Sequence, residues 1–259
     1  NLIKVFERWD PARKIKTMYW PQGEGDLRMQ NPYWIAYRNL RTNNKKRYML
    51  SASLSYDITD WLNVSGRVRV DNSNTKYEQK LYASSNTTLT EGSTQGFYAI
   101  AKPDESQVYA DVLANINKRF GDYSLVVNVG ASIVDNKYDE LSYRGPIRAN
   151  GIPNVFNVFD LDNTQKKARQ DEWEEQTQSI FASAELGWKS MLYLTLTGRN
   201  DWASQLANSS STCFFYPSVG LSAIISEMVK LPSAIDYLKI RGSFSSVGMP
   251  YPRNLTSPT

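Results

Sequence analysis

Between Thr197 and Glu227 the chain reads TGRNDWASQLANSSSTCFFYPSVGLSAIISE, two amphipathic strands joined by a polar loop. On the way in, Leu192, Leu194 and Leu196 alternate with Tyr193, Thr195 and Thr197. On the way out, Pro217, Val219, Leu221, Ala223 and Ile225 alternate with Ser218, Gly220, Ser222 and Ile224. A period of two sends one set to each face of a sheet. The aliphatic set is what a lipid-facing or core-facing surface needs, and the small polar set suits water. Trp202, Phe214, Phe215 and Tyr216 crowd one end, where rings with an apolar body and a wet rim belong at an interface.

The same unit repeats upstream. Tyr48, Leu50, Ala52, Leu54, Tyr56 and Ile58 alternate with serines and Asp57, and Thr59-Asp60 turns the chain. Leu62, Val64, Gly66, Val68 and Val70 then alternate with Asn63, Ser65, Arg67, Arg69 and Asp71. Arginines between valines are out of place in a dry core but natural in a wall between lipid and a watery lumen. A second hairpin runs from Val108 through the Gly121-Asp122 turn to Ile133. A third places Ile180, Ala182, Ala184, Leu186 and Trp188 opposite Ser183, Glu185 and Lys189, with its turn near Ser190. A fourth pairs 214–226 with 237–247, where Leu238, Ile240, Gly242 and Phe244 alternate with Lys239, Arg241 and Ser243.

This pattern predicts an all-β fold, an antiparallel transmembrane β-barrel segment of about eight strands. Each strand is expected to hold about ten to thirteen residues, and crossing a bilayer at a tilt takes ~9–11. Two long polar stretches, Asn72 to Ser106 and Asp135 to Glu175, read as loops, so that long loops lie at one end and tight turns at the other. Trp61, Tyr123, Trp188 and Tyr193 fall at the short-turn ends; Tyr48, Tyr138, Trp202 and Tyr216 fall near the long loops. These are two expected aromatic belts. Residues 1–46 show no sustained period and read as a lead-in, 47–248 as strands and loops, and 249–259 as the start of a further loop.

Composition excludes several function classes. The chain has 259 residues, 30 of them basic and 26 acidic, a formal +4. The run Arg41, Lys45, Lys46, Arg47 is too short to argue for nucleic acid and reads as a solvated loop. Cys213 is the lone cysteine and there is no histidine. Ser-His and Cys-His catalysis, thiolate clusters and the usual transition-metal ligands go together. No catalytic residue, cofactor or metal site is expected, and neither a Walker loop nor a dinucleotide fingerprint is present. Asp171, Glu172, Glu174 and Glu175 lack the spacing of a calcium loop and read as solvated charge. No apolar run approaches the ~20 residues of a membrane helix. Sixteen tyrosines and seven tryptophans accompany a mean hydropathy of −0.50. That combination fits barrel strands, which are only half apolar.

Trp34, Tyr98, Trp173 and Trp202 lie in or beside the long loops and are the candidate ligand-binding rings. Arg67, Arg69, Glu185, Arg199 and Arg241 are the candidate lumen-facing charges, Arg199 with Asp201 two residues on along one strand face.

Six segments carry a resemblance: NPYWIAYRNL, YDITDWLNVSGRVRVDNSN, NKRFGDYSLVVNVGAS, TGRNDWAS, FFYPSVGLSAIISE and LPSAIDYLKIRGSFSSVG. Together, from Asn31 to Gly248, they resemble the SusC/RagA-type TonB-dependent transporters of the Bacteroidetes outer membrane. The resemblance implies a 22-stranded barrel with an N-terminal plug, of which this chain is an internal stretch. It implies import of oligosaccharides or peptides, a SusD-like surface lipoprotein as lid, and TonB acting through a part outside this sequence. It also implies contact with outer-membrane lipid in a Gram-negative cell. The rival expectations are a complete eight-stranded barrel serving as anchor or adhesin, a barrel hydrolase, which lacks a histidine base, and a soluble glycan-binding sandwich.

Overall fold

Alternation of side chains requires strands, and strands form wherever it occurs. The computed structural model describes residues 4–20, 30–232 and 235–248. A small hairpin of β1 (Glu7–Asp10) and β2 (Ile15–Met18) is followed by a helix α1 (Pro32–Arg38). Eight strands come next: β3 (Asn39–Thr59), β4 (Leu62–Tyr82), β5 (Gly96–Phe120), β6 (Tyr123–Pro146), β7 (Lys167–Trp188), β8 (Leu192–Ala203), β9 (Cys213–Ile224) and β10 (Lys239–Ser245), with a one-turn helix α2 (Ile225–Met228) before the last. Their order in the sheet is their order in the chain. Every connection therefore joins neighbours. β3 and β10 each have one partner, so among the described residues the sheet is not closed. A complete eight-stranded barrel would have paired these two.

The β7–β8 connection shows how tightly the short ends are made. Lys189 and Ser190 take positive φ of 48° and 58°, and Met191 N donates to Trp188 O at 2.9 Å. Two consecutive left-handed residues closing an i to i+3 bond make the hairpin turn whose twist matches the strands.

The strands depart from expectation in length. β3 and β4 have 21 residues, β5 has 25, β6 has 24 and β7 has 22. Each has about twice the ~9–11 residues that a tilted bilayer crossing takes. The expected loops shrink to 83–95 and 147–166, and β3 begins at Asn39, inside the expected lead-in. Alternation stops at about Asp71 because one face no longer needs to be aliphatic; ladder pairing needs no such face. Polar cross-strand contacts take over, with Asn72 Nδ2 donating to Tyr48 Oη at 2.8 Å and Asn74 Nδ2 to Asp104 Oδ1 at 2.7 Å. Residues 249–259 lie outside the described residues.

The chain divides into two compact units. One comprises Asn1–Tyr48, Asn72–Glu105 and Tyr138–Trp173. Its described residues hold an apolar core of Met18, Trp34, Leu81, Ala83, Phe97, Tyr98, Ile147 and Leu161. Here Asn31 caps α1, its side chain accepting from Tyr33 N at 2.9 Å. Glu7 anchors the lead-in by ion pairs to Lys16 and Arg38. Burial pushes the Glu7 carboxyl up, but the hydrogen bonds from Lys16 and Arg38 outweigh it and hold the group below its ordinary value.

The other unit comprises Met49–Asp71, Ser106–Lys137 and Glu174–Thr259, and it is built differently. Leu206 is its one buried core hydrophobic among the described residues. Its aliphatic residues are in the open: Leu54 is 78% exposed, Leu221 57% and Phe244 70%. Among the described residues no second layer covers them.

Two outcomes test this organisation. Gly130 lies under the Phe181 ring, and an added Cβ would stand 2.6 Å from Phe181 Cζ and 2.8 Å from the Val112 carbonyl oxygen. Gly130→Ala should therefore cost about 1–3 kcal/mol, read as a urea midpoint of the full-length protein in micelles. Adding Phe181→Ala should recover part of that loss. The Glu7 anchor gives a pH signature. A depressed carboxyl stabilises fully above the unfolded value of ~4.3 and is lost as the pH falls through the lower folded value. Amide exchange in β1 and β2 should accelerate over that acid range, and Glu7→Gln should remove the step.

Candidate functional site

Register decides which side chains share a face. In the β7–β8 pair, Ala182 faces Gly198, Ala184 faces Leu196, Leu186 faces Leu194 and Trp188 faces Leu192. β9 continues that face with Pro217, Val219, Leu221 and Ala223, and β10 with Ile240, Gly242 and Phe244. The opposite face carries Ser179, Phe181, Ser183, Glu185, Tyr193, Thr195, Thr197, Arg199, Asp201, Tyr216, Ser218, Gly220, Ser222, Lys239, Arg241 and Ser243. One side of the sheet is hydrocarbon-like and the other is an array of hydroxyls and charges.

The polar face is knitted by side-chain bonds. Arg67 pairs with Asp111 at 2.8 Å and lies over the Tyr109 ring, as does Arg69. Arg69 Nη2 reaches Gln107 Oε1 at 3.5 Å, and Gln107 donates to Asn136 Oδ1 at 2.8 Å. Asn128 Nδ2 donates to Ser183 Oγ at 3.0 Å. Arg199 Nε donates to Asp201 Oδ1 at 2.7 Å and its Nη2 to Ser179 Oγ at 2.9 Å, while its guanidinium covers the Phe181 ring. These bonds hold the charges at fixed positions while leaving them wet: the Arg67 side chain is 56% exposed and that of Arg199 47%.

A hollow of about 560 Å³ indents this face. Glu185, Tyr193, Thr195, Ser218, Ser222, Lys239 and Arg241 surround it and Gly220 forms its floor. Glu185 and Arg241, two of the expected charges, are thus brought together. Arg67, Arg69 and Arg199 stand elsewhere on the same unit. A larger furrow, about 770 Å³, runs over Ala52, Gly66, Ala110 and Ala131 between Leu54, Val68, Val112, Ile133 and Ile180. It belongs to the aliphatic face and offers almost no polar group, so it is surface for hydrocarbon rather than a site for a polar solute.

The four candidate rings fare differently from the charges. Trp34 is 0% exposed, and its Nε1 donates to Ser85 Oγ at 2.9 Å, which in turn donates to Asn39 Oδ1. Tyr98 is 4% exposed and donates to Glu78 Oε1 at 2.8 Å. Burial, then the Glu78 contact, raises the Tyr98 hydroxyl far above its ordinary pKa. Neither ring has a free face for a ligand, because each closes the core of its unit. Trp173 is inside β7, half-buried and stacked on Tyr138 at 5.4 Å with 12° between planes. Tyr138 itself donates its hydroxyl hydrogen to Glu140 Oε2. Trp202 is also in a strand rather than a loop, opposite Gln178 and Cys213 on the aliphatic face, where a belt ring sits. Tyr193 and Tyr216, expected in the belts, belong instead to the polar face. The acidic run is spent on separate pairs, Asp171 with Arg169 at 3.0 Å and Glu174 with Lys137 at 3.1 Å.

Lys239, Ser222 and the Gly220 floor escaped the sequence reading. The signal was half present, since Lys239 and Arg241 are two apart on one face of a strand expected to pair with 214–226; the register that sets Ser222 opposite Arg241 could not be read.

The family model described as TonB dependent receptor-like, beta-barrel matches residues 5–259. Solved structures with a similar fold include that of the RagAB peptide transporter, at 14% identity and a TM-score of 0.72, covering 88% of this chain and 25% of that one. Another is the RagAB peptide importer in its closed-closed state, at 16% identity and a TM-score of 0.68, covering 84% of this chain and 24% of that one. The chain spans about a quarter of the length of each, and at these identities the likeness is one of fold. No curated protein sequence matches it.

The buried role of Trp34 has a direct test. Trp34→Ala should lose about 3–5 kcal/mol by cavity formation, and Trp34→Phe about 1 kcal/mol by stranding the Ser85 bond. Both would appear as lowered melting of the full-length protein, with ligand affinity unchanged for Trp34→Phe.

Proposed function

The chain belongs to the TonB-dependent receptor-like β-barrel family, and from that premise we propose that it forms part of the wall of an outer-membrane importer. One observation carries the proposal: a single-layer sheet whose Leu, Val and Ile face is bare and whose other face holds wet, mutually bonded charges. In water the bare face would be an aggregation surface far beyond the few hundred Å² that soluble proteins tolerate. Against lipid it is the ordinary exterior of a barrel.

In this reading the aliphatic rows meet the hydrocarbon of a Gram-negative outer membrane, and Trp61, Trp188 and Trp202 sit at its interfaces. The polar face, with Arg67, Arg69, Glu185, Arg199 and Arg241, lines a water-filled passage. Ladder pairing carries strands β3 to β7 well past the bilayer, where they and their loops meet a SusD-like surface lipoprotein acting as lid. The solute is an oligosaccharide or a peptide. Energy comes from TonB, which moves a plug and lets the captured solute diffuse along the passage. The wall itself does no covalent chemistry; it positions water, charge and hydroxyls.

Lysine substitution separates the faces. In the full-length protein, Val127→Lys and Ala182→Lys should each weaken folding into lipid by roughly 2–4 kcal/mol near the bilayer centre. Asn128→Lys and Ser183→Lys should be tolerated. Urea titration of protein folded into vesicles reads both, and equal tolerance on the two faces would end the importer reading.

A further inference from the structure

The hollow on the polar face has a charge balance that a neutral water channel does not need. Lys239 and Arg241 enter it from β10, placed by register opposite Ile224 and Ser222. Among the described residues neither cation forms an ion pair; Lys239 Nζ stands 6.0 Å from the Tyr193 ring centroid. Every other charge named above on this face, save Glu185 and Arg69, has an opposite partner, as Arg67 has Asp111 and Arg199 has Asp201. Glu185 accepts from Thr195 Oγ1 at 3.4 Å and neutralises neither β10 cation by contact.

The floor is open for an occupant. A Cβ placed on Gly220 would meet nothing closer than 3.8 Å. Ser222 Oγ, on the wall beside Arg241, is buried without a hydrogen-bond partner. A buried hydroxyl left unpaired is costly unless a ligand or water completes it. The hollow therefore offers a planar guanidinium fork, an ammonium and a spare hydroxyl, with one carboxylate at the far side.

From this we infer that the hollow is a carboxylate subsite, which takes the acidic group of a solute on its way along the passage. Two cations against one anion leave a single net positive charge, matching a monoanion. Phosphate, with close to two negative charges, would meet Glu185 as well. Arginine's fork fits a carboxylate bidentately. The wet surroundings keep the hold weak, as a passage needs, since a site must release what it admits. The assignment deepens the importer reading and rests on it for the direction of travel. It adds that acidic solutes are favoured, whether the carboxylate belongs to a peptide or to an acidic sugar.

Ligand-observed NMR on the full-length protein in detergent micelles tests the subsite. Tri-glutamate and digalacturonate present the two sources of carboxylate, and tri-glutamine capped by acetyl and amide groups is the carboxylate-free control. At least one acid should bind more tightly than tri-glutamine, and the tighter acid names the source. Lys239→Gln with Arg241→Gln should weaken that binding at least tenfold. Gly220→Leu, which keeps both cations and fills the hollow, should do the same, whereas Lys239→Arg should retain it. The inference is overturned if neither acid binds better than the control, if the double variant and Gly220→Leu bind as the parent does, or if equimolar inorganic phosphate displaces the acid. Binding in micelles needs neither bilayer nor TonB. Failure of the importer reading in the lysine test would leave it intact, and failure here would leave the lysine result intact.

Discussion

In hydrocarbon every backbone N–H and C=O must find its partner within the protein, because no water is there to take it. For a sheet this means continuous ladder pairing with each neighbour, and β3 to β10 provide it in unbroken chain order. Side chains are then free to do opposite things on the two faces. Packing contributes little to one of the two units, in which Leu206 is the one buried core hydrophobic among the described residues. Its cohesion comes from ladder bonds and from cross-strand pairs such as Thr197 with Ser218.

The same constraint explains the polar face. Several of its charges are tied to a neighbour, Arg67 to Asp111 on the next strand and Arg199 to Asp201 two residues along its own. Arg199 is held from three sides by Asp201, Ser179 and the Phe181 ring. The Phe181 ring in turn approaches Gly130, where a Cβ would collide with it. A glycine that looks like a weak point in a strand is the seat of an aromatic ring, the device that covers exposed backbone in edge and barrel sheets.

Where alternation ends, the unit boundaries begin. The breaks fall after Tyr48, Asp71, Glu105, Lys137 and Trp173, the last four close to the ends of the two stretches whose sequence suggests long loops. Those stretches remain largely in strand. Ser, Thr, Asn and Lys on both faces carry no period-two hydrophobic signal, and a ladder with water or polar contacts on both sides needs none. The misreading of length thus has a physical cause: hydrophobic periodicity reports the surroundings of a strand, not its existence.

The sequence by itself determined the two-faced character of the strands, the hairpin order and the residues belonging to each face, because side-chain alternation is a local property of extended backbone. It also carried Arg67, Arg69, Glu185, Arg199 and Arg241 to the polar side. Only the tertiary structure decided register between strands. Register set Glu185 in one row with Thr195, Gly220 and Ser243 and Arg241 in the next with Ser222 and Tyr193, so that both border one hollow; it also kept Tyr193 and Tyr216 off the belts and set Trp202 among the aliphatic rows. Burial was equally invisible, since Trp34 and Tyr98 look like exposed loop rings until Ser85 and Glu78, distant in sequence, close over them. Both depend on contacts between residues far apart in the chain, which no local pattern encodes.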